Sequence, residues 1–216
     1  MRYHTIIFDL DGTLLDTLQD LANSTNFALE TMGFPTRTME EVRAFVGNGV
    51  AKLIERAVPD GTDHDMFLKT LSVFKEHYAL HCEDQTKLYD GILPLLDTLL
   101  INGAKLAVVS NKVDSAVRVL CEKYLGDRIM VSVGDREGIA KKPSPDSVFE
   151  VLKILNANIE DAAYIGDSEV DILTARNAKM DAIIVTWGFR DKAFLVQNGA
   201  SVLADSAEEL EQILLC

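Results

Sequence analysis

Thr5-Ile6-Ile7-Phe8-Asp9-Leu10-Asp11-Gly12-Thr13-Leu14 is the stretch on which the reading of this chain turns. Thr5 to Phe8 form a short, uninterrupted run of β-branched and aromatic side chains. That pattern suits a strand covered on both faces of a parallel sheet better than one with a wet face. The run ends in two carboxylates at i and i+2, which share one side while the chain stays extended, and then in a glycine that permits a sharp turn. Open α/β sheets take their ligands at the carboxyl ends of strands, so these acids stand where chemistry is done. An isolated Asp-x-Asp is more often a loop whose acids cap a helix; the whole string is more specific than that.

Outward from this string, similar apolar runs recur at residues 105–109, 129–133, 162–165 and 182–185. They alternate with segments of helical period at 113–125, 146–155 and 169–179. Strand alternating with helix predicts an α/β fold, a Rossmann-like doubly wound parallel sheet. Between residues 15 and 90 the rhythm stops, and only helical signals occur, at 27–32, 42–46, 50–58 and 67–80. The simplest division is a core of residues 1–14 and 91–216 with an α-helical insertion, 15–90.

Composition narrows the function. In 216 residues, 34 Asp and Glu face 21 Lys and Arg, a net charge of −13, while 48% of residues are hydrophobic. Such a chain can bury a core, which excludes disorder as a description of the whole. The negative excess argues against nucleic acid, whose phosphates are gripped by clustered Lys and Arg. The insertion carries 13 acids and 7 bases and the remainder 21 and 14, so the charge is spread over the surface and forms no acidic tail. Cys82, Cys121 and Cys216 are far apart with no CxxC pair, which suggests neither a disulfide framework nor a thiolate zinc site. No signal peptide is read at Met1-Arg2-Tyr3-His4, and the longest greasy stretch, residues 92–101, is too short for a bilayer and is broken by Asp97. A cytoplasmic protein with no membrane partner is expected.

Three further strings follow core strands. Ser110-Asn111-Lys112 offers a hydroxyl and an amide at a helix start, where phosphoryl oxygens can be held, although taken alone such a string is more often an N-cap. In Lys141-Lys142-Pro143-Ser144-Pro145 the prolines stiffen a loop and set Lys142 at a helix entrance, where a surface lysine is the alternative. Gly166-Asp167-Ser168-Glu169-Val170-Asp171 gathers acids at another strand's carboxyl end, with helix capping as the competing role. All four strings fall after core strands, whose carboxyl ends share one edge of the sheet.

Together the four strings resemble the four signature motifs of the haloacid dehalogenase superfamily, and the similarity covers essentially the whole chain. Trp187-Gly188-Phe189, Asn198-Gly199-Ala200 and the ending from Asp205 to Leu210 resemble its phosphoglycolate phosphatase-like branch. The resemblance implies a Mg²⁺-dependent phosphatase acting on a small phosphomonoester, 2-phosphoglycolate foremost. Asp9 would be the nucleophile that forms an aspartyl-phosphate, and Asp11 the acid that protonates the departing oxygen and then the base that activates water. Ser110 and Asn111 would position the phosphoryl group and the nucleophile, and Lys142 would offset charge on both. Mg²⁺ would be held by the Asp9 side chain, the Asp11 carbonyl and Asp167, hard oxygen ligands that suit it. Asp171 would orient Asp167 or Lys142, or cap a helix, and Thr13 would fix the turn. Asp11 favours phosphoryl transfer over dehalogenation, since a departing halide needs no proton.

By the same resemblance the insertion is a cap that closes over the site, hinged near residues 14–17 and 84–91. Its specificity loop would contain Arg43, Gly47, Asn48 and Gly49, with a solvated surface position equally open for Arg43. Gly47-Asn48-Gly49 is not a dinucleotide fingerprint, because no strand precedes it. His77, His81 and Cys82 cannot all face one way on a helix, so a packing or surface role is expected there. A β-phosphoglucomutase-type mutase, a pyrophosphatase or nucleotidase, and a non-catalytic phospho-aspartate regulator are the competing functions. The expected partner is a small phosphorylated metabolite, and the expected assembly a monomer or weak homodimer.

Overall fold

β1 (Thr5–Phe8) lies inside a six-stranded parallel sheet in the computed structural model, which describes residues 2–216. Along the chain, β2 (Leu15–Asp16) leads into α1 (Leu18–Thr31), α2 (Met39–Phe45), α3 (Val50–Ala57) and α4 (His64–His81), and β3 (Lys87–Leu88) leads out. Then come α5 (Ile92–Ile101), β4 (Lys105–Val113), α6 (Asp114–Leu125), β5 (Val131–Asp135), α7 (Asp146–Ile154) and β6 (Ala162–Gly166). The remainder is α8 (Glu169–Ala178), β7 (Asp181–Val185), α9 (Lys192–Gln197), β8 (Leu203–Ala204) and α10 (Ala207–Leu215). Two compact units result: one runs to Leu15 and resumes at Leu88, and the other is Asp16–Lys87.

In the first unit the strand order is β5-β4-β1-β6-β7-β8. Thr5 to Phe8 pair one for one with Lys105 to Val108 on β4 and with Ala162 to Ile165 on β6. The winding reverses at β1, so the crevice at its carboxyl end is the topological switch point of the sheet. Side chains alternate between two dry faces. Ile6 and Phe8 join Leu106, Val108, Ala163 and Ile165 under α5, α6 and α10, while Ile7 joins Ala107, Val109 and Tyr164 against α7 and α8. Two covered faces explain why the strand reads as a continuous apolar run. The greasy stretch 92–101 is α5, which buries Ile92, Leu95, Leu96 and Leu99 and turns Asp97 outward to Arg128.

Several strands depart from the sequence reading, which expected none at the two-residue β2, β3 and β8. The third core strand lies two residues later than expected, at Val131–Asp135, with Gly134 inside it. A Cβ at Gly134 would stand 2.5 Å from the Lys112 carbonyl oxygen, so glycine is what lets the end of β4 press against β5. β4 itself continues through Ser110-Asn111-Lys112 to Val113, with a register irregularity after Val109. Such bulges re-aim side chains near functional sites. β8, two residues long, is too short to carry a periodic signal.

The second unit is helical. α2 starts with a capping box in which Thr38 accepts from the Glu41 N–H at 3.2 Å and Glu41 accepts from the Thr38 N–H at 2.7 Å. Asp63 caps α4 by accepting from the Met66 N–H. Leu21, Leu29, Val42, Leu53, Ile54 and Phe74 form its buried apolar positions. Among the described residues no helix is long and apolar enough to cross a membrane.

Candidate active site

Beyond β1 the chain reverses tightly. The Leu10 carbonyl accepts from the N–H groups of Leu14 and Leu15, both at 3.0 Å, and Gly12 sits at φ +82°. Asp9 is thereby left at the strand's end, its Oδ1 accepting from the Leu10 N–H at 2.7 Å and lying 2.9 Å from the Lys142 ammonium. Lys142 is 5% exposed and also donates to Asp171 Oδ1 at 2.8 Å and to the Tyr164 hydroxyl at 3.0 Å. Burial works against the Lys142 charge, but the carboxylates of Asp171 and Asp9 outweigh it and hold the ammonium well above the usual lysine range. The loop that carries Lys142 is tied to β4 by Asn111, whose side chain accepts from the Lys142 N–H at 2.9 Å and donates to the Lys142 carbonyl at 3.1 Å.

From β6, Asp167 is positioned by the Phe189 N–H, which donates to its Oδ2 at 2.7 Å, and by the Thr13 hydroxyl at 3.2 Å. Thr13 thus both completes the turn and touches the second acid. A Cβ at Gly188 would stand 2.4 Å from Asp167, and one at Gly12 equally close, so two glycines make room for this carboxylate. Asp171, in the first turn of α8, accepts from the Asp167 N–H, the Ser168 N–H and the Ser168 hydroxyl on one oxygen and from Lys142 on the other. It therefore caps the helix and orients Lys142 at once.

Asp9, Asp167 and Asp171 each bring a carboxylate oxygen within 4.8 Å of the others, the one such cluster of metal-type ligands among the described residues. Burial, opposed by Lys142 but reinforced by the neighbouring acids, pushes Asp9 up to about 7. Asp167 is driven well above the usual carboxylate range by burial and by Asp171 and Asp9. Three buried acids round one ammonium are a charge imbalance that a divalent cation would relieve. A carboxylate offers roughly four acceptor sites. Asp171 already meets four donors, whereas Asp167 meets Thr13 and Phe189 and Asp9 meets Leu10 and Lys142. The oxygen donors of Asp9 and Asp167 fit a hard cation, with Asp171 as their support.

Asp11 stands nearer the surface, its side chain 19% exposed and gripped by Lys112, whose ammonium lies 2.9 and 3.3 Å from its two oxygens. Ser110 is buried at the end of β4 and accepts from the Lys112 N–H at 3.3 Å. Lys112 and Tyr164 carry no role in the sequence reading. Lys112 lay within a string already singled out, and Tyr164 carried no polar signal inside its apolar run. Arg43, Gly47, Asn48 and Gly49 belong to the helical unit, on α2 and in the turn after it. There Arg56 donates to the Phe45 carbonyl at 2.7 Å and to the Asn48 side chain at 2.9 Å, fixing the loop. His77 stacks between Phe27 and His81, and His81 pairs with Asp84, a packed arrangement and not a metal cluster.

Comparison with known proteins agrees with this geometry. The family model of the haloacid dehalogenase-like hydrolases matches residues 6–185. The phosphoglycolate phosphatase of Chromobacterium violaceum is 32% identical over 97% of this chain and 95% of its own length. Phosphoglycolate phosphatase 1 of Pseudomonas aeruginosa is 30% identical over 95% of this chain and 77% of its own. A crystal structure from Lactobacillus delbrueckii subsp. bulgaricus, provisionally named a phosphoglycolate phosphatase, superposes with a TM-score of 0.95 at 39% identity, covering 99% of both chains. With acids, lysine and glycines meeting at the switch point of such a sheet, the chain belongs to the haloacid dehalogenase-like hydrolases, as a phosphoric monoester hydrolase of their phosphoglycolate phosphatase-like branch.

Proposed function

We propose that the protein hydrolyses a small phosphomonoester, 2-phosphoglycolate, through an aspartyl-phosphate on Asp9. The supporting observation is Asp9 itself, at the carboxyl end of the central strand and 2.9 Å from a buried ammonium. In the first step an Asp9 oxygen bonds to phosphorus as the ester P–O bond breaks, and Asp11, as the acid, gives its proton to the departing alkoxide. In the second, a water oxygen bonds to phosphorus while Asp11 takes its proton. The bond to Asp9 then breaks, releasing inorganic phosphate. Lys142 holds Asp9 in place and offsets charge on the transferring group, Ser110 receives a phosphoryl oxygen, and Asn111 keeps the Lys142 loop in register with β4. The side chains of Asp9 and Asp167, with the Asp11 carbonyl, would hold Mg²⁺, which supplies positive charge to the phosphoryl oxygens when bound.

The helical unit acts as a cap, with the loop of Arg43, Gly47, Asn48 and Gly49 reading the leaving group. The substrate is a free metabolite of the cytoplasm, no nucleic acid or membrane takes part, and the enzyme works as a monomer or weak homodimer. The substrate choice rests on the names of the relatives, which share nearly the whole chain. The test is a panel of phosphorylated metabolites with Mg²⁺, scored for inorganic phosphate. The expected result is release from 2-phosphoglycolate that chelator and Asp9→Asn both abolish. Preference for another ester would overturn the substrate, and isomerised sugar phosphate without free phosphate would overturn hydrolysis.

A further inference from the structure

Among the described residues the Lys112 ammonium pairs with Asp11, as that of Lys142 does with Asp9. The Lys112 side chain is 2% exposed against 19% for Asp11, so it approaches the carboxylate from the interior and leaves the outer side of Asp11 open to whatever enters. It reaches both oxygens, at 2.9 and 3.3 Å, which fixes the rotation of the carboxylate as well as its place. The backbone that delivers it is shaped for the purpose. The register of β4 breaks between Val109 and Val113, and Gly134 on β5 admits the Lys112 carbonyl where a Cβ would lie 2.5 Å away. Asp114 locks that contact by accepting from the Gly134 N–H at 2.9 Å. A bulge, a close-packed glycine and a buried lysine thus converge on the most exposed of the site's four carboxylates.

We propose that Lys112 is the positioning residue of the acid and base Asp11: it holds the carboxylate turned toward the leaving-group oxygen and later toward the attacking water. This rests on the phosphatase reading of Asp11. An acid that protonates the departing oxygen matters most when the alcohol is a poor leaving group, and contributes about 10²–10⁴-fold in such cases. An aryl oxide such as 4-nitrophenolate leaves without help. Loss of Lys112 is therefore selective between substrates, whereas loss of a merely structural lysine is not.

The experiment measures kcat/KM, which reports the steps through leaving-group departure, for an alkyl phosphate and for 4-nitrophenyl phosphate in the full chain with Mg²⁺. For Lys112→Met the alkyl value falls about 100-fold and the aryl value less than about 5-fold. Lys112→Gln, which retains an N–H donor, falls between wild type and Met on the alkyl substrate and serves alone if Met does not fold. In an Asp11→Asn background the Lys112 substitutions leave the alkyl-to-aryl ratio unchanged, because the group they act through is gone. Equal losses on both substrates, no loss on either, or a further change of ratio in the Asp11→Asn background would overturn the proposal. Wild-type protein that hydrolyses neither substrate would overturn the phosphatase reading instead.

Discussion

Asp20, 1% exposed in the first turn of α1, should be a polar position on which the stability of the helical unit depends. Its carboxylate accepts from the Gln85 N–H at 2.9 Å, the Thr86 N–H at 2.8 Å and the Thr86 hydroxyl at 2.8 Å. It therefore joins the start of the first helix to the segment that leaves the unit. In Asp20→Ala the Thr86 hydroxyl can turn wholly to the Cys82 carbonyl, 3.0 Å away, and loses little. The buried Thr86 N–H and the part-buried Gln85 N–H lose their charged acceptor, and at about 1–3 kcal/mol each they make a loss of about 4 kcal/mol. In Asp20→Asn an amide oxygen in the place of Oδ2 still accepts from Thr86 and, at 3.0 Å, from Gln85. What goes is the charge on the bonds and the Gln85 bond to Oδ1, where the amide NH₂ now faces the N–H, about 1–2 kcal/mol in all. Urea unfolding followed by far-ultraviolet circular dichroism measures both. With a slope of about 2 kcal/mol per molar urea, the helical transition moves down by about 2 M for Ala and by less than about 1 M for Asn. An Ala shift under about 0.5 M, or an Asn shift as large as the Ala one, would show that this carboxylate does not hold the two ends of the unit together.

Asp9→Asn should lower phosphatase turnover by at least about a thousandfold without changing the folded state, measured by steady-state kinetics beside a thermal melt. Gly188→Ala places a methyl group 2.4 Å from Asp167 and should weaken divalent-cation binding about 10–100-fold, read by calorimetry with Mg²⁺ alone. Unchanged affinity would mean that Asp167 is no ligand. Asp114 feels burial, which raises it, but hydrogen bonds from Arg118 and the Gly134 N–H and the charges of Arg118 and Arg136 bring it below the usual range. A carboxylate lowered by folding contributes stability that is fully present above its unfolded value and is lost as pH falls through the folded one. Asp114→Asn should therefore cost stability at neutral pH and progressively less below about pH 4, read from denaturation midpoints across that range.

The sequence made legible what is local. β1 and the strings ending in Asp11, Lys112, Lys142 and Asp171 each declare themselves within ten residues, because strand, turn and helix start follow from neighbours along the chain. In the second unit the helical period marks α3 and most of α4, but of α1 it marks only the last turn, and the start at Leu18 goes unread. What could not be read is which distant residue meets which. Lys112 finds Asp11 across 101 positions, Lys142 finds Tyr164 across 22, and Thr86 finds Asp20 across 66. Periodicity tells which face a side chain occupies and nothing of its partner on another element. The late start of β5 has a related cause. Apolar Ile129 and Met130 mark its approach, whereas Gly134, which sits in the strand because β4 presses against it, carries no strand propensity of its own.

An acidic chain that acts on phosphate is at odds with itself until the charges are counted where they stand. Charges more than about 10 Å apart on the surface are largely screened at physiological salt, so most of the net −13 is not felt at the crevice. Inside it, among the described residues, Asp9, Asp11 and Asp171 form ion pairs with Lys112 and Lys142, whose ammonium groups are thus already engaged with acids. The lysines therefore order the carboxylates and do not advertise a positive pocket. Positive charge for a phosphate dianion has to arrive with a cation, and the same crowding of buried acids that opposes an anion favours that cation. On the proposed function, the acids would thus be the means by which a negative protein admits a negative substrate, in company with a metal ion.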